Sequence, residues 1–240
     1  MRNGDLQIWL NHFEHHALHQ RCDAQDVSDV LRLDERKLIA NSIATFQLGE
    51  ASEGRALLRA AEEYARDKQL PHLPRIIGLL IREEQRHASL LRAFMQDHGM
   101  ALKRADWTDR IFRIIRRLAG LQLYIGVLIC AELIGNVYYR ALESATDCER
   151  LKHLCLTIVA DELAHVGFET QLLFPLRAGR TAHRIFFSCT ATLVWLTHLC
   201  VLRKAGHSGR SFLRSCQAQY QFYLGPTGEL ASSRAFASSG

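Results

Sequence analysis

One acidic residue, Glu132, restricts this chain more than any other feature. It stands within residues 121–145, a stretch that is apolar nearly all the way round a helix, in the run Ile129-Cys130-Ala131-Glu132-Leu133-Ile134. A helix that is hydrophobic on every side belongs inside a protein, so its carboxylate goes inside with it. Burying an ionised carboxylate is costly unless a partner or a cation compensates it. The rest of the chain has to supply that compensation.

Two E-x-x-H motifs offer it: Glu84-Gln85-Arg86-His87 and Glu162-Leu163-Ala164-His165. On a helix, positions i and i+3 share a face, so each motif aims one carboxylate and one imidazole at the same point. A single such motif is an ordinary surface pair in most helices. Here a fourth segment adds a lone glutamate, Glu50, in Phe46-Gln47-Leu48-Gly49-Glu50-Ala51. The midpoint between Glu50 and Glu84 is residue 67, beside a turn expected at 68–71, and that between Glu132 and Glu162 is residue 147, in a second expected turn. In each antiparallel pair the carboxylates therefore return to the same height, and a turn misplaced by two residues would offset them by only about 6 Å.

Long apolar periodicities and only four prolines predict an all-α chain. An amphipathic helix is expected over 5–20, bearing Leu6, Trp9, Leu10 and Phe13 and a stripe of His12, His15, His16 and His19, which reads as surface or packing. The four principal helices are expected at 34–67 (with Asp34 as N-cap), from 71 or 74 to 98 (with Gly99 just past the end), at 121–145 and at 148–173. An Arg-rich amphipathic segment, 106–118, separates the second from the third. Beyond them come an uncharged stretch, 185–202, and a short helix, 211–223. The domain reading is an N-terminal helix and linker (1–34), a di-metal bundle (35–175), a C-terminal helical extension (176–224) and a disordered Gly/Ser/Ala-rich tail (225–240).

One glutamate from each of two helices, with Glu-x-x-His from each of the other two, resembles the ferritin-like di-iron carboxylate proteins, over about residues 35–175. The resemblance implies a four-helix bundle with added N- and C-terminal helices, and two iron ions, or manganese, held by Glu50, Glu84, His87, Glu132, Glu162 and His165. By resemblance, Glu84 and Glu162 bridge the metals, Glu50 and Glu132 are terminal, and each histidine binds one metal. Four carboxylates with two imidazoles suit iron or manganese better than zinc or copper. Glu53, Asp161 and Glu169 are candidate outer-sphere residues or extra ligands. Glu83, one residue off a ligand like Asp161, reads as outer-sphere or surface. Tyr124, Tyr138 and Tyr139 read as core packing.

Three activities share this ligand set: O2-dependent oxidation of an organic substrate, ferroxidase or iron storage, and peroxide reduction of the rubrerythrin or manganese-catalase kind. The helices added around the bundle, and small or uncharged residues near the site (Gly49, Ala51, Gly54, Leu80, Leu91, Leu128 and Gly135), favour the first. The expectation is a di-iron monooxygenase or oxidase acting on a partly apolar small molecule, with electrons from a ferredoxin or reductase, in a homodimer. Ile158 stands four residues before Glu162, where arylamine N-oxygenases carry a third imidazole.

The remaining features exclude more than they assign. There is no flavin or nucleotide motif. Seven cysteines without a C-x-x-C pair fit neither a disulfide framework nor a rubredoxin-type iron site. With no apolar signal run near the N-terminus, they predict a reduced, cytoplasmic protein. A net charge of +5 is too mild to indicate nucleic acid and is compatible with association at an anionic membrane surface. The 185–202 stretch is expected to be a buried fifth helix, since its threonines and His198 interrupt its apolarity.

Overall fold

A computed structural model of the chain describes residues 3–19, 29–51, 54–104, 120–173 and 180–225. Among these residues every regular element is a helix. In chain order they are α1 (Asn3–His19), α2 (Leu33–Glu50), α3 (Arg55–Lys68), α4 (Leu73–Asp97), α5 (Leu121–Ala145), α6 (Glu149–Leu173), α7 (Arg180–Thr197), α8 (Leu199–Lys204) and α9 (Gly209–Leu224). The segments at 106–118 and 226–240 and residue Glu53 lie outside the described residues.

Helix ends follow local chemistry. α4 begins with Pro74 in its first turn and ends where Gly99 takes a φ of +61°. There the Gly99 and Met100 amides donate to the Gln96 and Met95 carbonyls, a Schellman closure. α8 closes the same way through Gly206, and α9 opens on a capping box between Ser208 and Ser211. At the start of α2 the expected cap is displaced. The N-cap position is Arg32, and Asp34 lies in the first turn, where the Glu35 amide keeps its carboxyl below the usual range.

The expected continuous helix over 34–67 is two helices. α2 stops at Glu50 and α3 starts at Arg55. Gly54 holds a φ of +65°, and a β-carbon there would fall 2.6 Å from the Ile81 side chain. Glycine is the residue that meets both demands, and α3 opens on it four positions past the candidate ligand Glu50.

α5 and α6 form the most extensive helix pair, α2 packs along α4, and α4 also contacts α6. Along α4 one apolar cluster takes Leu73 to Leu80 and another takes Leu91 to Met95, leaving the acidic and histidine residues between them. α6 switches clusters between Val166 and Phe168, one turn from His165. A polar layer therefore divides the core at one level.

α1 lies along α4 and buries Leu6, Trp9, Leu10 and Phe13. Its Trp9 ring sits 3.1 Å from the point a β-carbon on Gly167 would occupy, and its indole N–H donates to Gln171 Oε1 at 2.9 Å. α7, α8 and α9 pack against α5. The 185–202 stretch is not one helix: it breaks at His198, which is buried and meets the Ser42 hydroxyl through Nδ1 at 2.7 Å. Among the described residues one helix, α5, is long and apolar enough to cross a bilayer (mean hydropathy 1.5), and 78% of that stretch is buried within the protein.

Candidate metal centre

The four inner helices bring all six candidate ligands together. Donor atoms of Glu50, Glu84, His87 and Glu162 lie within 4.8 Å of one another, as do those of Glu84, Glu132, Glu162 and His165. Glu84 and Glu162 belong to both groups. Two sites that share two carboxylates is the arrangement on which a pair of cations can be held close together.

The imidazoles are clamped from behind. His87 donates through Nε2 to Asp161 Oδ2 at 2.8 Å, and His165 through Nε2 to Glu83 Oε2 at 2.7 Å. The clamps cross: the residue before the motif glutamate on α4 holds the histidine of α6, and the residue before the motif glutamate on α6 holds the histidine of α4. Glu83 and Asp161 are therefore buried hydrogen-bond partners of the candidate ligands, and the 100° step that takes them off the ligand face turns them toward the facing helix. A hydrogen bond from Nε2–H leaves the lone pair on Nδ1.

Both Nδ1 atoms face the centre of the cluster. His165 Nδ1 is 3.1 Å from Glu84 Oε1 and 3.5 Å from Glu162 Oε2, and His87 Nδ1 is 3.5 Å from Glu162 Oε1. None of these contacts has hydrogen-bond geometry. Both Nδ1 atoms, Glu84 Oε1, Glu132 Oε2 and Glu162 Oε2 are buried without a partner. Spacings of about 3 Å are those of adjacent ligands around an ion at bond lengths near 2.0–2.1 Å.

Charge tells the same story. Seven acidic groups, Glu50, Glu83, Glu84, Glu132, Asp161, Glu162 and Glu169, gather here around His16, His87, His165 and Arg86. Burial, with neighbouring carboxylates, pushes the Glu50, Glu132 and Glu169 carboxyls well above their ordinary range. Burial would do the same to Glu162, but His165 and His87 draw it down to about 2. His87 is raised to about 10 against its own burial, because the Asp161, Glu162 and Glu50 carboxylates around it favour its charged form. Without a cation the cluster balances itself with protons, and divalent ions are the species that can replace them.

Three further residues complete the centre. The Tyr139 hydroxyl donates to Glu50 Oε1 at 2.8 Å, so it is more than core packing. Its spacing of seven from Glu132, two helical turns, was the available signal. Tyr138 packs as expected, stacked on Phe46 at 3.7 Å and bonded to Ser42. Glu169 is fully buried beside Glu132, with neither oxygen in a hydrogen bond of good geometry, and it lies outside the two donor groups. His16 reaches inward to Glu83 and Asp161, so the histidine stripe of α1 is not surface alone.

A cavity of about 180 Å³ opens from the centre toward α7. Glu50, Glu84, Glu132 and Glu162 form its floor, and Phe46, Val127, Leu128, Ile134, Val194 and Tyr139 contribute to its apolar lining. Of the small and apolar residues expected to line the site, Gly49, Leu128 and Gly135 do so, whereas Leu80 and Leu91 are core.

A third donor group, Asp29, His98 and Cys148, is of a different kind. The Arg150 guanidinium bonds both Asp29 Oδ2 and Asp97 Oδ2 at 2.7 Å, so a cation already neutralises it, and burial raises the Cys148 thiol. It latches α4 to α6. The other described cysteines are thiols as well, with Cys130, Cys155 and Cys216 buried and Cys189 and Cys200 exposed.

The chain is an all-helical protein with a buried carboxylate–imidazole cluster that could bind metal. No family model, curated protein or solved structure matches it.

Proposed function

We propose that this protein is a di-iron oxidoreductase on a ferritin-like four-helix bundle, which activates O2 to oxidise a small, largely apolar organic substrate. The observation that carries this reading is the pair of clamped imidazoles. Each is held through Nε2 from outside, while its Nδ1 and the adjacent carboxylate oxygens point inward without partners. Glu84 and Glu162 would bridge two ions, Glu50 and His87 would complete one site, and Glu132 and His165 the other. Iron bound there would supply redox chemistry toward O2, and manganese would fit the same donors.

The chain's own residues do the rest. Asp161 and Glu83 fix both imidazole planes, and Tyr139 fixes the Glu50 carboxylate. The apolar cavity keeps water from the ligands and seats the substrate against them. Its volume is close to that of an engineered apolar cavity of about 150 Å³ that takes up benzene, so one aromatic ring or a short hydrocarbon segment is the size of group expected. That cavity favours an enzyme over a store, because an iron store needs no apolar chamber beside its ligands. Electrons would come from a ferredoxin or reductase.

The test is anaerobic titration with Fe²⁺ followed by exposure to O2. The expected result is saturation near two irons per chain, oxidation in a single turnover, and a melting temperature that falls when a chelator removes the metal. At a free metal concentration of about 100 Kd the bound ion contributes about 2.7 kcal/mol. Continued uptake of added Fe²⁺ into a mineral would establish the ferroxidase reading instead.

A further inference from the structure

Among the histidines of α1, His16 is placed unlike the others. Its Nδ1 lies 2.6 Å from Glu83 Oε1 and its Nε2 lies 3.3 Å from Asp161 Oδ1. Those are the oxygens of the two clamping carboxylates opposite the ones that meet the candidate ligands. Glu83 uses Oε2 for His165, and Asp161 uses Oδ2 for His87 and Arg86. One imidazole therefore joins both clamps, and through them both halves of the cluster.

We propose that His16 is a positioning residue for both metal-ligating imidazoles, a clip by which the N-terminal helix helps to set the geometry of the centre through Glu83 and Asp161. The inference rests on the metal-centre reading above. Glu83 and Asp161 are almost fully buried, and a second contact on each carboxylate restricts the orientation in which it clamps its imidazole. His16 is about one-third exposed, and from the protein's edge it hydrogen-bonds Glu83 and stands within ion-pair range of Asp161.

The helix is built to present this ring. Trp9 lies against Gly167, Phe13 packs on the His165 ring with centroids 5.9 Å apart, and Glu14 pairs with Arg75 on α4 at 3.1 Å. The His12 ring lies nearly parallel to that of His16, with planes 11° and centroids 6.3 Å apart. His15 and His19 stack on each other at 4.0 Å and are exposed.

The experiment uses Co²⁺ as the probe, titrated into the full-length metal-free protein and read from its visible ligand-field bands. His16→Ala is expected to weaken Co²⁺ binding tenfold or more, the scale seen when outer-sphere partners of metal ligands are removed, and to shift the bands. His16→Asn, whose amide nitrogen takes roughly the place of Nδ1, restores the Glu83 contact and should recover part of both. His15→Ala should match the wild type. Melting of the metal-free variants checks that each is folded. A folded His16→Ala protein with wild-type affinity and band positions would overturn the role, as would equal losses in His16→Ala and His15→Ala. Wild-type protein that takes up no Co²⁺ would overturn the metal-centre reading itself, and the His16 role with it.

Discussion

Gly54→Ala perturbs the break between α2 and α3 through two effects whose sizes can be worked from the structure. The first is backbone conformation: at φ +65° a residue with a β-carbon loses about 1–2 kcal/mol. The second is space. The new carbon would stand 2.6–2.7 Å from Cγ1, Cγ2 and Cδ1 of Ile81, far inside the carbon–carbon optimum of about 3.5–4.0 Å. Ile81 is β-branched and sits in α4, where a single χ1 rotamer dominates, so it cannot simply swing away. Overpacking of this kind costs about 1–3 kcal/mol. Alanine's lower entropy in the unfolded chain returns about 0.4–1 kcal/mol. The net loss is about 1–5 kcal/mol, which for a chain of this length is a fall in Tm of about 2–20 °C. Thermal unfolding of the metal-free protein by circular dichroism measures it. Ile81→Ala removes all three overlapping atoms, so the double variant should lose at least about 1 kcal/mol less than the sum of the single changes. A Gly54→Ala protein within about 0.5 kcal/mol of wild type, or strict additivity with Ile81→Ala, would refute the reasoning.

Gly135 lies on the cavity wall, and the nearest atom to a β-carbon there is Tyr139 Cε2 at 4.0 Å. Gly135→Ala should therefore stabilise α5 by about 0.5–1 kcal/mol in thermal melts. Gly135→Leu fills the cavity and should leave Fe²⁺ uptake intact while abolishing any effect of apolar ligands on O2 consumption. Tyr139→Phe removes the donor to Glu50; it should cost about 1 kcal/mol and shift the Co²⁺ bands, and unchanged bands would mean that the hydroxyl does not orient Glu50.

Glu132 shows how far residue order can carry an argument. Its apolar surroundings on residues 121–145 were enough to bury it, because hydrophobic burial acts on the whole helix and takes the carboxylate along. The two E-x-x-H spacings put their side chains on single faces for the same reason, since helical periodicity is local. The turn midpoints set the four glutamates at one height, and the donor groups meet there. All-α class, the extent of α5 and the end of α4 at Gly99 were equally legible.

Other features depend on contacts between residues far apart in the chain. Gly54 became a helix break because Ile81 occupies the space beside it. Glu83 and Asp161 looked like neighbours turned off the ligand face until α4 and α6 were set face to face, when the same rotation aimed each at the other's histidine. Tyr139 and His16 acquired partners only once side chains of α2 met those of α5 across the core and α1 lay along α4. Periodicity therefore determined which side chains enter the core and at what height, whereas the crossing of the helices decided which of them touch, because the direction of a side chain across an interface is set by packing against a partner that its own helix does not encode.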